Sequence, residues 1–194
     1  MTDEQAAALG ACVAAGGVAV FPADTVYGLA CDPSDAGAVA RLYELKGRPP
    51  EKPAAVMFFD LALVPAVGLR TDALLARLLP GGVTLLLPNP SRRFPLACGP
   101  DPETLGLRVP FVAPVGRPVL QSSANLAGGP DARRLSDVPV GIRDAADLVI
   151  DGGELPGTPS TVVDLRSYES GRWSIVRVGA VPEAVIANVA NGGR

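Results

Sequence analysis

The sequence predicts an α/β domain with a largely buried sheet and helices on its faces. Short apolar runs typical of buried strands alternate with Ala-rich or amphipathic segments typical of helices over most of the chain. The length of 194 residues, with 48% hydrophobic and 19% charged composition, is enough to bury one core. No composition break marks a second domain, so we predict a single domain over residues 1–188 and a loose tail over residues 189–194.

The first predicted elements are a helix and a strand. Thr2 and Gln5 have the spacing of a capping box, in which each side chain bonds the backbone of the other residue. The Ala-rich run behind them stops at a glycine pair, which predicts a helix over residues 3–15. The apolar run GVAVFP predicts a buried strand over residues 17–22.

A second helix and strand follow. Ser34 and Asp35 are typical helix-opening residues, and the apolar spacing behind them predicts a helix that ends at Lys46. The run AAVMFF predicts a strand over residues 54–59.

Helices and short strands continue to the end of the chain. Thr71 is the predicted cap of a helix over residues 72–79, and the last helix is predicted after Pro182. The remaining apolar runs predict strands over residues 83–88, 105–110, 118–123, 147–151, 160–165 and 173–178.

Composition excludes several kinds of site. The chain has no histidine, and its three cysteines form no CxxC pair, which excludes zinc fingers and histidine-based triads. The net charge of −3 argues against a surface built mainly for nucleic-acid phosphates. No apolar run approaches the roughly 20 residues that span a bilayer, and the N-terminal residues are acidic, so we expect a cytoplasmic protein without membrane contact.

The lysines are concentrated in one place. Of 17 basic residues only Lys46 and Lys52 are lysines, and Arg48 lies between them. A cation at a helix C-terminus is favoured by the helix dipole, which accounts for Lys46 alone. Arg48 and Lys52 lie beyond the helix on a proline-rich loop, where they could bind a phosphate or carboxylate or be a solvated charge run.

Three further polar segments lie at the ends of predicted strands. Ligand sites of α/β proteins tend to lie at such positions. The segments are PADTVYGLACDP with Asp24, Thr25 and Tyr27, QSSANLAGGPDARR, and PGTPSTVVDL. Each could equally form turns in which the side chains bond their own backbone. Because GxSxG and an evident base are absent, we interpret the serines as binding residues and not as nucleophiles.

Taken together and in order, the segments resemble the short, single-domain type of the YrdC-like threonylcarbamoyl-AMP synthase family. The matching segments are FPADTVYGLACDP, LYELKGRPPEKP, LLPGGVTLLLP, LGLRVP, SSANLAGGP, GTPSTVVDL and IVRVGAV. The resemblance implies an α/β fold with a twisted mixed sheet and helices around a concave basic cavity. It also implies a nucleotidyltransferase that makes L-threonylcarbamoyl-adenylate from L-threonine, bicarbonate or CO2, and ATP, releasing pyrophosphate. That product serves threonylcarbamoyladenosine modification of tRNA next to the anticodon.

The resemblance also implies roles for individual residues. Lys46 and Arg48 are the predicted catalytic residues, acting through charge and position. The implied ATP-binding residues are Arg48, Lys52, Thr104, Asn125, Arg133 and Arg177. The implied L-threonine-binding residues are Thr25, Arg108, Ser123 and Ser160. Mg2+ is expected with ATP and no metal on the protein itself, and the expected partners are tRNA threonylcarbamoyl-transferase proteins, with weak tRNA or double-stranded RNA binding.

Two residues depart from the family pattern. Ala23 stands where the family commonly has threonine, and Met57 where many members have histidine. Two alternatives therefore stay open: a paralogue with an altered substrate, and an RNA-binding module of the same fold. The acidic net charge disfavours the second.

Overall fold

A twisted nine-stranded sheet forms the centre of residues 1–192, the part of the chain that the structure, a computed structural model, describes. The strands are β1 (Ala19–Pro22), β2 (Tyr27–Cys31), β3 (Ala55–Met57), β4 (Val83–Pro88), β5 (Thr104–Arg108), β6 (Val119–Ser123), β7 (Leu148–Val149), β8 (Thr161–Asp164) and β9 (Ser174–Arg177). The helices are α1 (Asp3–Ala14), α2 (Ala36–Lys46), α3 (Leu69–Leu78), α4 (Pro95–Cys98), α5 (Val140–Ala145) and α6 (Glu183–Ala190).

The sheet is mixed, as the family resemblance implied. Its strand order is β7-β1-β2-β6-β3-β5-β4-β8-β9. The pairs β1–β7, β3–β5 and β4–β8 are parallel, and the other five neighbouring pairs are antiparallel. The predicted α/β class with a twisted mixed sheet and flanking helices is therefore confirmed.

The helix-opening residues at α1 and α2 behave as their chemistry predicts. The side chain of Thr2 accepts from the backbone of Gln5, and the Gln5 side chain accepts in return from the backbone of Thr2, which completes the capping box. The carboxylate of Asp35 accepts from the first backbone N–H groups of α2 at 2.8 and 3.0 Å. Both helix starts are thus confirmed at residue level.

The predicted start of α3 is wrong. Thr71 lies inside the helix, which begins at Leu69, and both its backbone N–H and its hydroxyl donate to the Glu169 carboxylate at 2.8 Å. A carboxylate that is distant in sequence therefore replaces the local cap that Thr71 was expected to supply.

One strand was missed. Residues 27–31, inside the segment interpreted as a polar turn, form β2, which pairs with β1 and β6. Tyr27 is fully buried, and its hydroxyl contacts the backbone N–H of Gly152 and the carboxylate of Asp151 at 2.9 and 3.0 Å. Only Asp24 and Thr25 of that segment therefore remain candidates for ligand contact.

Each face of the sheet carries its own apolar cluster. Alternate residues such as Val56, Leu107 and Leu120 belong to the larger cluster, which includes residues of α2, α3 and α6. The opposite alternation places Met57 and Val119 in a smaller cluster with residues of α1. The smaller cluster covers only part of its face, which leaves the rest of that face to polar side chains.

The C-terminal boundary differs from the prediction. The last helix, α6, runs to Ala190, whose carbonyl accepts from the buried hydroxyl of Tyr168 at 2.6 Å, so it takes up the first two residues of the predicted tail. Residues 193–194 of that tail lie outside the described residues. Among the helices within the described range, none is both long and apolar enough to cross a membrane.

Candidate functional site

Polar residues gather on the sheet face that carries Met57, which we call the site face. The strand registers place Arg108 beside Met57, and Gln121 beside Ala55 on the neighbouring strand. Ser123 lies two residues beyond Gln121 and therefore on the same face. Arg108 and Ser123, predicted site residues on two different strands, thus point to the same side of the sheet.

An ion pair is buried at one end of the site face. Arg108 Nη2 donates to Asp24 Oδ1 at 2.7 Å and to the hydroxyl of Thr25 at 3.4 Å. The two charged side chains are only 4% and 7% exposed. Burial lowers the pKa of Arg108 from its ordinary value, the positive charge of Arg177 lowers it further, and the carboxylate of Asp24 opposes both. The site therefore holds Arg108 away from water, within reach of the positive charge of the exposed Arg177.

Each partner of this ion pair keeps one polar atom unbonded. Arg108 Nε and Asp24 Oδ2 are buried and have no hydrogen-bond partner within residues 1–192. The first atom is a donor and the second an acceptor, and leaving either of them unbonded in a buried place is costly. An α-amino acid offers the complementary pair, because its carboxylate accepts and its amino group donates.

Arg177 and Ser160 complete this end of the site. Arg177 Nη2 donates to the Ser160 carbonyl at 2.7 Å, and the Ser160 hydroxyl lies 2.7 Å from that of Thr84. The structure thus brings Thr25, Arg108 and Ser160, predicted for threonine, together with Arg177, predicted for ATP. We call Asp24, Thr25, Thr84, Arg108, Ser160 and Arg177 the inner cluster.

Lys46 is buried and bonded internally. Its Nζ donates to the Asn125 carbonyl at 2.7 Å, to Asn125 Oδ1 at 2.9 Å and to the Ser123 carbonyl. The Ser123 hydroxyl also lies against Asn125 Oδ1, at 2.7 Å. Burial lowers the pKa of Lys46 to about 8, with a further contribution from Arg48. All three donors of Lys46 are therefore used within the protein, by the last residue of β6 and by Asn125 behind it.

The loop of residues 47–54, which we call the outer loop, carries the other two cations of the motif. Arg48 Nη2 donates to the Pro53 carbonyl at 2.6 Å, and its guanidinium lies 5.6 Å from the ring centroid of Tyr43. Arg48 Nε is buried without a partner among the described residues. Lys52 is exposed, and its amine makes no hydrogen bond or ion pair within the described range. Both side chains thus retain hydrogen-bonding capacity for a ligand.

The last two residues predicted for ATP lie at the margins of the site. The Thr104 hydroxyl, at the start of β5, donates to the carboxylate of Asp101 at 2.6 Å. Arg133 donates to the Leu155 carbonyl at 3.0 Å and pairs with Glu154 at 2.7 Å. Neither residue contacts the inner cluster through its side chain.

Arg133 is nevertheless tied to the inner cluster through Gly157. The backbone N–H of Gly157 donates to the Thr25 carbonyl at 2.9 Å. A Cβ atom at position 157 would lie 2.6 Å from the Arg133 side chain, and the φ angle is +84°, so only glycine fits this approach. The close packing fixes the arginine beside the turn that holds Thr25.

The two departures from the family pattern meet in one place. Met57 is fully buried and Ala23 is 3% exposed, and both belong to the smaller apolar cluster. Met57 is also the register partner of Arg108. The cluster therefore brings an apolar surface up to the inner cluster at the positions where the family pattern has polar side chains.

Sequence reasoning missed two residues of the site face. Asp24 was a candidate but not an assigned residue, and no local signal predicts its pairing with Arg108, 84 residues away. Gln121 alternates with Ser123 along β6, so the two-residue period of strands could have placed it on the same face.

The chain offers no set of metal ligands within residues 1–192. No group of three or more histidine, cysteine, aspartate or glutamate residues there is arranged to hold a metal ion. Mg2+ commonly binds through substrate phosphates with few protein ligands. An Mg2+ ion delivered with a nucleotide would need few ligands from the chain.

A comparison with protein families decides the relationship that the motifs suggested. The sequence model named Sua5_yciO_yrdC, with the description "Telomere recombination", matches residues 11–179. The chain belongs to the Sua5/YciO/YrdC family. The match covers every residue of the inner cluster and of the outer loop.

Relatives in this family carry a specific enzyme name. The chain is 38% identical to the threonylcarbamoyl-AMP synthase of Chromohalobacter salexigens over 170 residues, 81% of this chain and 90% of the relative. It is 30% identical to that of Pyrococcus abyssi over 186 residues, which are 90% of this chain but 54% of the relative. The chain thus spans about half the length of the second relative.

The same fold is found in a solved structure of a family member. The structure of P. abyssi Sua5 complexed with L-threonine superposes with a TM-score of 0.85 at 27% identity, covering 97% of this chain and 58% of that chain. The Sua5/YciO/YrdC fold therefore extends over nearly the whole chain.

Proposed function

We propose that this protein is an L-threonylcarbamoyladenylate synthase. In the proposed reaction the amine of L-threonine adds to CO2 derived from bicarbonate and loses a proton, which gives a carbamate. A carbamate oxygen then attacks the α-phosphorus of ATP, and the bond from that phosphorus to the bridging oxygen breaks to release pyrophosphate. The names of the relatives at 38% and 30% identity support this assignment.

The observation that carries the proposal is the buried pair of Arg108 and Asp24 with its two unbonded atoms. Arg108 supplies a charged donor for the threonine carboxylate, and a charge-assisted hydrogen bond is stronger than a neutral one. Thr25 and Ser160 add hydroxyl groups at the same end of the site. The P. abyssi Sua5 structure, whose name records bound L-threonine, supports the same substrate.

ATP is proposed to lie between the inner cluster and the outer loop. Arg48 and Lys52 would contact the phosphates, with Asn125, Arg133, Thr104 and Arg177 around the rest of the nucleotide. Lys46 would act indirectly, because its amine holds the carbonyl and amide oxygens of Asn125. Mg2+ bound with ATP would neutralise part of the phosphate charge.

Acceleration is proposed to come from positioning and charge, not from a nucleophilic side chain. Holding the carbamate and the α-phosphorus together replaces an encounter in solution with a bound geometry. Prearranged cations such as Arg177 stabilise negative charge as it develops during adenylation. The product would supply the modification of tRNA next to the anticodon, through separate transferase proteins.

The test is pyrophosphate release by the purified protein, with mass spectrometry of the adenylate. Release that requires L-threonine, bicarbonate and ATP together is expected, and Arg108→Met should abolish it. Arg117→Ala is the matched control, because Arg117 makes a partly exposed pair with Asp32 at 3.3 Å away from the inner cluster. Pyrophosphate release that does not depend on threonine would overturn the proposal.

An altered amino-acid substrate is a second candidate, favoured by Met57 and Ala23. An apolar surface beside Arg108 discriminates poorly against one methyl group or one hydroxyl, since such differences change binding only modestly in an apolar pocket. Rates with L-threonine, L-serine and L-valine distinguish the candidates. A preference for another amino acid over threonine would favour the altered substrate.

A further inference from the structure

Gln121 occupies the middle of a cross-strand row on the site face. The registers connect Ala30, Gln121, Ala55 and Gly106 on four neighbouring strands. The other three residues of this row have no side chain larger than a methyl group. Gln121 is therefore the only member of the row with a side chain able to hydrogen-bond, and small residues flank it on both sides.

The Gln121 side chain is mostly buried, and its carboxamide has no protein partner within the described residues. The residue is 6% exposed. Neither Oε1 nor Nε2 hydrogen-bonds any residue of the described part of the chain. A primary amide has two donor hydrogens and an acceptor oxygen. Since neither amide atom is among the fully enclosed, unbonded atoms of the described residues, both remain accessible to a ligand on the site face.

The amide leans toward Ser123. A Cβ atom at position 28 would lie 3.1 Å from Gln121 Nε2 and 2.9 Å from the Phe21 ring, so glycine at this position leaves room for both side chains. Gly28 is the register partner of Ser123. Along this face Ser123, which contacts Asn125 and Lys46, therefore follows Gln121, and Met57 on β3 lies between β6 and Arg108 on β5.

This position corresponds to a particular part of the proposed substrates. If Arg108 holds the threonine carboxylate and the Asn125 side holds the nucleotide, the group between them is the carbamate nitrogen with its N-carboxy group. That group presents one N–H donor and acceptor oxygens, which matches the two donors and one acceptor of a carboxamide. A neutral amide also leaves the carbamate oxygen free to attack, whereas a cation would bind it tightly.

We propose that Gln121 binds the N-carboxy group of the carbamate and so fixes its orientation toward the α-phosphorus. The inference rests on the proposed synthase function, because that reaction supplies the carbamate. It assigns a substrate contact to a residue that the motifs did not indicate.

The first experiment observes the amide directly in the native sequence. The chain contains two glutamines, Gln5 and Gln121. Labelling their side-chain amides with 15N gives two NMR signal pairs, and the Gln5→Met variant assigns them. Gln5 is bonded to the Asp151 carbonyl and to the Thr2 backbone N–H, so it serves as an internal reference.

The titration uses L-threonine, sodium bicarbonate and α,β-methylene ATP, separately and together. The Gln121 pair should shift most when threonine and bicarbonate are both present, while the Gln5 pair stays in place. Unchanged Gln121 signals under every combination would overturn the inference.

The second experiment separates a substrate contact from a structural role. Gln121→Met keeps the length of the side chain and removes its hydrogen bonds. We expect the KM for threonine and bicarbonate to rise about tenfold, and that for ATP less than about twofold, as the loss of hydrogen bonds to a bound group implies. Gln5→Met, the same change at the surface, should leave all three KM values unchanged. Equal rises in all three for Gln121→Met would contradict the inference.

The two proposals fail separately. If pyrophosphate release does not depend on threonine but threonine and bicarbonate together still shift the Gln121 signals, the synthase function falls and the contact stands. If release depends on all three substrates but Gln121 does not respond, the contact falls and the function stands.

Discussion

The inner cluster and the outer loop are both rich in cations, but they are built in opposite ways. Arg108 lies on a strand, is 3% exposed and is paired with a buried carboxylate. Arg48 lies on a loop, bonds one backbone carbonyl and packs against Tyr43, while Lys52 is exposed. Because Arg108 is buried and paired with Asp24, the same side chain contributes both to ligand binding and to the stability of the fold. The cations of the outer loop contribute to ligand binding but little to stability.

The contrast shows which residues can be changed to weaken ligand binding without unfolding the protein. A buried pair costs free energy to desolvate and more to break, so its residues are constrained by both stability and ligand. A loop cation contributes little to a core and can be changed at small cost. Substitutions in the inner cluster should therefore lower both stability and activity. Substitutions in the outer loop should lower activity with little effect on stability.

The largest effect is expected at the inner cluster. Arg108→Met leaves Asp24 as a buried charge without a partner, and breaking a buried pair costs about 3–5 kcal/mol of unfolding free energy. Chemical denaturation measures this loss. The double variant Asp24→Asn, Arg108→Met should recover most of the stability without recovering activity. A single variant that is as stable as the wild type would refute the linkage of stability and binding.

The next effect is expected at Lys46. Lys46→Met leaves the oxygens around Ser123 and Asn125 without their donor, which costs about 1–3 kcal/mol per unsatisfied buried group before relaxation. Denaturation at pH 7 measures the loss in unfolding free energy. A rise in the KM for ATP without any change in unfolding free energy would instead indicate a direct phosphate contact.

The pH dependence gives Lys46 a distinct signature. Its folded pKa, lowered to about 8, lies below the unfolded value of about 10.4. Between these two pKa values the unfolded chain binds more protons at Lys46 than the folded chain does. Lys46 therefore makes the free energy of unfolding rise with pH between about 8 and 10, and it adds no pH dependence below about pH 7. Lys46→Met should remove that rise, and parallel curves for the two proteins would contradict the lowered pKa.

A smaller stability effect is expected at Arg48. Arg48→Ala removes one hydrogen bond to a backbone carbonyl and the contact with Tyr43, which together should cost less than about 1 kcal/mol. The kcat/KM for ATP should fall by about 10- to 100-fold, since a cation on the phosphates is lost. Steady-state kinetics beside a melting curve measure both. Comparable losses of stability and activity would show that Arg48 behaves like the buried residues of the inner cluster and would contradict this prediction.

The smallest effect is expected at Lys52. Its exposed side chain has no partner in residues 1–192, so Lys52→Ala should change unfolding free energy by less than about 0.5 kcal/mol. The KM for ATP should rise about threefold at low salt and less at high salt, because an exposed charge is screened. An effect that does not vary with salt would argue against a phosphate contact.

The sequence predicted most elements because their signals are local. The capping box at Thr2 and the side-chain cap at Asp35 need only neighbouring residues, and both are confirmed. The cap at Thr71 failed because Glu169, nearly a hundred positions away, supplies the acceptor. Strand β2 was missed because Asp24 and Thr25 before it and Asp32 after it placed residues 27–31 inside a segment interpreted as polar. The hydroxyl of Tyr27 is in fact satisfied inside the protein.

The candidate site was predictable as a set of residues but not as an arrangement. The motifs indicated Thr25, Arg108 and Ser160, and the structure brings them together. No spacing rule predicts that Asp24 pairs with Arg108, or that Lys46 donates its three hydrogen bonds to Ser123 and Asn125. Those contacts depend on strand order, which follows from the packing of the whole sheet.

The strand order also determines when the site can form during synthesis. Several strands next to each other in the sheet are far apart in the chain, as with β1 and β7, where Val20 lies beside Val149. The inner cluster draws on Asp24 near one end and Arg177 near the other. Non-local contacts of this kind form slowly, and a ribosome presents the N-terminal residues first. A nascent chain should therefore acquire ligand affinity only after Arg177 has left the ribosome, all at once and not by degrees.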